Sequence, residues 1–334
     1  MAYFFKSFLF ISILFALTVN SFANPPEFNA WLTDFKIKAH NIGISKKTIS
    51  STLNNVRFLP KVIKYDRYQP EFYEDTSTYI GKRVTKLKIK QAKFLYSKEQ
   101  TIINKVEKVY NVEKELLLSL MGIETNFGKY LGKMDIVSSL STLSFDKRRS
   151  AFFTNELLTL LKLVDQKKID PSVLYGSWAG AFGNFQFMPS TINKYAIDYD
   201  NDLSIELKEI DDSFASAANY INKIGWKKNK PCFYKVKLRD DIPHKYLNTS
   251  AKKIINKKKV SFFQQYIKDP VPENFTKNFE VGIITPDKDI IPDANNLSPA
   301  YLVYDNYELI LKWNRSLRFA LAVCTLKNKL KNDI

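Results

Sequence analysis

The sequence predicts a mainly α protein, formally α+β, in which a long helical stretch is followed by a small β-containing region and a closing helix. Three observations carry this reading. Apolar residues recur at helical spacing through the first two thirds of the chain, as in Trp31, Phe35 and Ile37, then Ile49, Leu53 and Val56. After Trp226 the pattern changes to short runs bounded by Pro, Asp and Asn, such as Phe233–Leu238, Val281–Thr285 and Tyr301–Tyr304. Helical spacing returns from Ser316 to Leu330.

The first element is a targeting segment. Lys6 precedes an uncharged, mostly apolar run from Ser7 to Val19, and Ser21-Phe22-Ala23 places small residues where a signal peptidase inspects them. The run is shorter than the roughly 18–20 apolar residues a spanning helix needs. Residues 1–23 are therefore expected to be a signal peptide, cleaved near Ala23, rather than a membrane anchor. No Cys lies near the cleavage site to take a lipid, and no later segment is apolar enough to cross a bilayer. The mature chain is expected to be periplasmic, exported and without stable membrane insertion.

Residues 24–98 read as several helices joined by turns at Pro60 and Pro70, with a Lys-rich pattern from Tyr79 through Tyr96. Residues 99–230 form the next region. Two helices meet near Asn111, the second being Glu113–Ile123, with an apolar face at Leu116, Leu117, Leu120 and Ile123. Further helices fit Thr154–Asp165, Ser190–Ala196 and Asp212–Ile224, the last opened by an acidic turn. Residues 231–312 form the β-containing region, in which the Lys-rich stretch Lys252–Lys259 reads as a solvated surface or loop. Residues 313–334 supply the closing helix.

The 334 residues, 45% hydrophobic, hold ample material for a core. Cys232 and Cys324 lie far apart, and in an oxidising compartment they are able to pair. The formal charge of +17 implies polyanionic surroundings. Its carriers are mostly Lys scattered through the chain, so the charge permits an acidic polymer as partner without selecting one. Export argues against nucleic acid.

Two segments depart from ordinary core patterning. In Met121-Gly-Ile-Glu-Thr-Asn-Phe-Gly128 an acid directly follows an apolar helical face. Gly128 is able to end the helix in the left-handed conformation, leaving Glu124 in the last turn. There the helix dipole and apolar neighbours both favour the protonated acid, which is what a general acid near neutral pH requires. The local pattern alone does not separate this from an exposed surface Glu. In Gly176-Ser-Trp-Ala-Gly-Ala-Phe-Gly-Asn-Phe-Gln-Phe-Met-Pro189, three glycines permit close backbone approach. Ser177, Asn184 and Gln186 supply hydrogen-bonding groups, and Trp178, Phe185 and Phe187 supply flat faces for sugar rings. A buried Gly/aromatic turn fits the same residues.

Together, Glu-Thr-x-Phe-Gly and Ser-Trp-Ala-Gly-Ala-x-Gly-x-x-Gln-Phe-Met-Pro-Ser resemble the lytic murein transglycosylase B family. The resemblance continues through Leu143–Phe153, Ala217–Ile221 and Leu302–Ser316, and more weakly through Asp66–Phe72 and Ala30–Leu32, in the family's order. It implies a lysozyme-like catalytic core over residues 99–230, with an additional helical region, a small β-containing region and a C-terminal helix completing the cleft. The implied reaction cleaves the β-1,4 bond between N-acetylmuramic acid and N-acetylglucosamine of peptidoglycan strands, forming 1,6-anhydromuramic acid ends. Glu124 matches the acid/base. Arg148, Arg149, Ser177, Gln186, Phe187, Tyr220, Trp313 and Asn314 match the cleft. Trp313 stands where the family usually has Tyr, Phe152 and Phe319 replace frequent tyrosines, and Phe182 replaces a frequent Met.

Ordinary glycoside hydrolysis uses two carboxylates. Asp135 and Asp146 are candidates for a second, but the family pattern gives neither a role. A muramidase cutting the same bond with water, or a non-catalytic wall-binding protein, are the competing readings. The chemistry needs no cofactor. A structural Ca²⁺ is expected at Asp198, Asp200, Asp202 and Ser204, whose oxygens recur at alternate positions; Glu209 or Asp212 is able to close the loop, and the resemblance implies Asp212. Leu203 occupies the position where such loops want Gly, and the same acids fit a turn that caps the next helix.

Overall fold

The computed structural model describes residues 23–68, 73–276, 279–288, 290–291, 297–331 and 333–334. All of the expected signal peptide except Ala23 lies outside the described residues, as do positions 69–72 of the run that begins at Asp66.

The N-terminal helices are α1 (Pro26–Asn41), α2 (Lys46–Leu53), α3 (Pro60–Arg67), α4 (Thr76–Arg83) and α5 (Lys86–Lys98). Local chemistry sets several starts. Pro occupies the first turn of α1 and α3, and Ser45, Asp75 and Thr85 cap α2, α4 and α5 with side-chain oxygens. The Lys-rich pattern expected to run from Tyr79 through Tyr96 is thus two helices, broken at Val84. Next come α6 (Gln100–Tyr110) and α7 (Lys114–Thr125), which meet near Asn111 as the sequence predicted, with Asn111 in the left-handed conformation. A two-residue strand β1 (Met134–Asp135) leads to α8 (Ile136–Phe145) and α9 (Ser150–Asp165). Strand β2 (Tyr175–Gly176) pairs antiparallel with β1 and opens the glycine-rich loop, which runs into α10 (Pro189–Tyr195) and then α11 (Ile210–Lys223).

Helix α7 is central. Leu116, Leu117, Leu118, Leu120 and Met121 are all buried, so nearly every face of it meets another helix. Their burial contributes roughly 10 kcal/mol of gross hydrophobic free energy, at about 2 kcal/mol per side chain. Helices α5, α6 and α11 pack on it, together with the last helix of the chain.

The β-containing region holds β3 (Phe233–Val236), β4 (Leu247–Asn248), β5 (Lys258–Lys259), α12 (Val260–Phe263), α13 (Glu273–Thr276), β6 (Glu280–Ile284) and β7 (Ala300–Val303). The strand order is β3-β7-β6-β4, with β5 on β6, and β4 and β6 are parallel while the other pairs are antiparallel. Part of the Lys252–Lys259 stretch, expected as loop, is therefore a strand. Its two lysines are exposed and leave a poor template for further pairing. The chain ends in α14 (Asp305–Trp313) and α15 (Leu317–Leu330). Helix α14 falls inside the stretch expected to be β-containing. Its N-cap is Tyr304, which makes no side-chain cap, so the sequence offers no start signal there.

Two connections bind the C-terminal part to the helical core. Cys232, just before β3, is disulfide-bonded to Cys324 in α15. Buried Asp287 accepts hydrogen bonds from the Thr76 hydroxyl at 2.6 Å and from Arg318 at 2.8 Å, tying β6, α4 and α15 together.

Candidate active site

Glu124 sits in the last turn of α7, partly buried. The helix does not wait for Gly128 to end. Asn126, Phe127 and Gly128 all have positive φ (52°, 59° and 79°), so the left-handed exit begins two residues earlier than the glycine suggests. Such a conformation is costly for Phe and is held by its surroundings. The Phe127 ring folds back over Gly122, where a Cβ would stand 2.8 Å from it. The Thr125 hydroxyl donates to the Asn184 carbonyl at 2.8 Å and accepts from the Gly128 amide at 3.0 Å, fastening the helix end to the glycine-rich loop. The Lys88 ammonium donates to the Gly122 carbonyl at 2.6 Å. This puts a cation at the negative end of the helix. Burial, with Arg83 adding repulsion, holds that ammonium below the usual lysine range.

The other wall comes from α14. Trp313 Nε1–H donates to Glu124 Oε1 at 2.9 Å. The indole stacks on Tyr220 with centroids 5.0 Å apart and planes 17° apart, and Tyr220 stacks on Tyr195 at 4.3 Å. The Tyr220 hydroxyl donates to the Lys312 carbonyl at 3.1 Å. Burial, and then the neighbouring Tyr195, push its pKa up to about 12, so it acts as a donor and not as a proton shuttle near neutrality. Phe187 meets both Trp313 and Tyr220 edge-on, but it is only 3% exposed. It backs the aromatic wall instead of offering a face to a sugar, which corrects the sequence expectation, and the same holds for Phe185 at 2%.

The remaining predicted residues fall into two groups. Ser177 and Gln186 belong to the glycine-rich loop. Ser177 Oγ accepts from the Ala181 amide at 3.0 Å. Gln186, at φ 51°, donates from Nε2 to the Gly183 and Leu131 carbonyls at 3.0 and 3.3 Å. Gly183 (φ 79°) lies directly on Leu207, where any side chain would collide. Asn184, read from the sequence as a hydrogen-bonding group, is buried and spends its amide on the Lys208 carbonyl and Ser213 Oγ. Arg148 and Arg149 lie apart from this loop. Both reach the carboxylate of Asp66, whose side chain is 1% exposed, with Arg148 Nε at 2.7 Å. They line a cavity of about 1010 Å³ with Trp313, so the indole joins the two groups. Asn314, next in sequence, ends α14 and is partly buried. Of the departures, Phe152 is exposed beneath the Arg149 guanidinium at 4.6 Å, and Phe319 is buried.

Sequence reasoning gave no role to Asp66 or Thr125. An acid that must neutralise adjacent arginines was the available signal for the first. The second had none beyond its place beside Glu124. Asp135 caps α8 through the Ser138 amide, and Asp146 pairs with Arg67 at 2.8 Å. Both candidate second carboxylates thus have structural occupations.

In the acidic loop, oxygens of Asp198, Asp200 and Asp212 lie within 4.8 Å of one another. Asp202 is not among the converged carboxylates, and its Oδ1 accepts the Ser204 amide at 2.8 Å. Leu203 adopts φ 75°, the conformation for which a glycine was expected. Asp198 Oδ1 is buried without a hydrogen-bond partner. Burial, and then repulsion from Asp200 and Asp198, hold the Asp212 carboxyl above its usual range despite two backbone N–H donors. Three crowded carboxylates and an unpartnered buried oxygen fit a hard, oxygen-loving cation.

A helical core with an acid at the end of its central helix, faced by an aromatic wall, is a lysozyme-like fold. Residues 27–328 match the transglycosylase SLT domain, and the chain belongs to that family. It is 31% identical to membrane-bound lytic murein transglycosylase B of Escherichia coli over 217 residues, covering 62% of this chain and 59% of that relative. Its structure resembles SltB3 of Pseudomonas aeruginosa in complex with NAG-anhNAM-pentapeptide, with TM-score 0.79 and 29% identity over 91% of this chain and 79% of that one. It also resembles Escherichia coli SLT35 in complex with calcium, with TM-score 0.74 and 26% identity over 94% and 95% of the two chains. Among the described residues no helix is long and apolar enough to cross a membrane.

Proposed function

We propose that this protein is an exported peptidoglycan lytic transglycosylase. It cleaves the β-1,4 bond between N-acetylmuramic acid and N-acetylglucosamine and closes a 1,6-anhydro ring on the muramic acid. The observation that carries this reading is that, among the described residues, Glu124 is the carboxylate bonded to the aromatic wall, while Asp135 and Asp146 are committed to a helix cap and an ion pair. Glu124 protonates the glycosidic oxygen as the C1–O bond breaks. The resulting carboxylate then takes the proton from the muramic acid C6 hydroxyl, whose oxygen closes on C1. The acid is regenerated and no water is consumed. A tethered nucleophile has an effective molarity that can reach about 10⁵ M or more, far above water's own concentration. Because an indole N–H only donates, Oε1 accepts from Trp313 in both protonation states, and Oε2 carries the mobile proton.

Arg148, Arg149, Ser177, Gln186, Tyr220, Trp313 and Asn314 line the strand's path, with Phe187 behind Trp313. Asp198, Asp200 and Asp212 hold a Ca²⁺ that braces the loop before α11 and takes no part in the chemistry. Residues 1–23 direct the chain to the periplasm. Mass analysis of fragments released from purified peptidoglycan tests the assignment. Products should weigh one water less than hydrolysis products and resist borohydride reduction. A digest dominated by reducible muramic acid ends would make the protein a muramidase.

A further inference from the structure

Lys88 is a half-buried cation to which the reaction above gives no part. It lies near the start of α5, and its ammonium reaches the end of α7, donating to the Gly122 carbonyl at 2.6 Å, two residues before Glu124. The same carbonyl accepts from the Asn126 amide at 3.2 Å, the bond that closes the helix. Among the described residues no carboxylate pairs with Lys88. Burial and repulsion from Arg83 both oppose its charge, so the helix end is what compensates it.

The other charges around α7 are engaged elsewhere. Arg83 of α4 pairs with Glu74 at 3.0 Å. On α15, Arg318 pairs with Asp287, and Lys327 pairs with Glu113 at the opposite end of α7. Glu107 of α6 pairs with Lys114 and Lys228, again at that opposite end. Asp212 of α11 accepts from backbone amides of the acidic loop, and α14 presents the uncharged Trp313 N–H. Among the described residues, Lys88 is thus the cation set against the helix end that bears Glu124.

That helix end and its apolar neighbours favour the protonated acid. Unopposed, they would make Glu124 slow to protonate the glycosidic oxygen, and a general acid works best when its proton affinity matches the working pH. We propose that Lys88 is a positioning residue for Glu124: it pins the last turn of α7 through the Gly122 carbonyl, and its charge offsets the helix end so that the acid gives up its proton in the working range. The proposal rests on Glu124 being the acid/base and not on the fate of C1, since a hydrolase needs the same proton.

The test follows kcat and KM on purified peptidoglycan against pH for the full chain and for Lys88→Met, Lys88→Gln and Lys88→Arg. Without the charge, the alkaline limb of the kcat profile should move up by about 0.3–1 pH unit, the size of a helix-end charge effect. At the optimum kcat should fall a few-fold with KM nearly unchanged. Lys88→Arg, which keeps the charge, should keep the parental limb. A merely structural role would lower kcat and leave the limb in place, and that result overturns the proposal. The Glu124 carboxyl carbon resonance, followed by NMR over the same pH range, reads the acid without turnover. Its midpoint should rise in Lys88→Met, and a midpoint that stays put would sink the proposal whatever the rates. Lys88→Gln removes the charge but keeps a donor, so its comparison with Lys88→Arg decides the matter where Met at this position disturbs folding. Activity retained by Glu124→Gln would mark the acid/base reading as the one that fails, and a shifted midpoint would then belong to a carboxyl with no catalytic part.

Discussion

Removing the indole donor from Glu124 probes the site where it is most specific. In the proposed reaction the Trp313 N–H bond, at 2.9 Å, meets a neutral acid before proton transfer and a carboxylate after it. A hydrogen bond to a neutral acceptor contributes about 1 kcal/mol and one to a charged acceptor about 1.5–3 kcal/mol. The increment, about 0.5–2 kcal/mol, is gained only as the proton leaves, so it lowers the barrier without tightening the ground state. At about 1.4 kcal/mol per tenfold, Trp313→Phe should lower kcat about tenfold. A phenyl ring keeps a flat face against Tyr220. Trp313→Tyr, which restores a donor, should recover part of the loss. Turnover is read from soluble fragments released from peptidoglycan, with thermal melting as the control for folding. In a Glu124→Gln background the Phe substitution should cost almost nothing more, because the charge that the bond stabilises never forms. A kcat for Trp313→Phe within twofold of the parent would refute a role for this bond in the transition state.

Glu124→Gln preserves size and packing but neither gives nor retakes a proton. It should melt normally and lose roughly 10²–10⁴-fold in turnover, and near-parental digestion would remove Glu124 from the chemistry. Ca²⁺ should raise the melting temperature, by about 2.7 kcal/mol in stability at a hundredfold excess over Kd. Asp198→Ala should abolish that rise. Because the Asp212 carboxyl is held above its usual range by burial, the loop binds its proton more tightly than the unfolded chain does. Without Ca²⁺, this group's contribution to stability falls as pH rises from its unfolded value through its folded one. Proton competition should therefore shrink the Ca²⁺ effect as pH drops toward 4–5, near ordinary carboxylate values. A Ca²⁺ response absent at pH 7.5, or equal at both ends, would leave only a helix-capping role. Replacing Cys232 and Cys324 together by Ser opens a loop of 92 residues and should cost about 2–4 kcal/mol, read as a denaturant midpoint. An unchanged midpoint would mean that α15 is held by packing alone.

The difference between what was legible and what was not follows the reach of each signal. Helix starts at Ser45, Asp75 and Thr85, the break near Asn111, the alternating run of β3 and the short apolar run of β7 depend on residues within a turn of one another. They were readable, or nearly so, from the sequence. Helix α14 was not, because the β-like run Tyr301–Tyr304 leads straight into it without a capping side chain. The exit from α7 was misplaced for a related reason. Positive φ at Asn126 suits an asparagine, but at Phe127 it is sustained by the Thr125–Asn184 bond and by Phe127 packing over Gly122, not by local preference.

The sequence by itself determined the helical class, the placement of Glu124 at a helix end and the family, because periodicity and contiguous motifs survive being read one segment at a time. Tertiary structure alone decided what surrounds that acid. Trp313 meets it across 189 residues, and Asp66 finds Arg148 across 82. It also decided that Asp212 rather than Asp202 joins Asp198 and Asp200, and that Phe187 lies behind the wall instead of on it. Those choices depend on which faces of separate segments pack together, and no run of neighbouring residues carries that information.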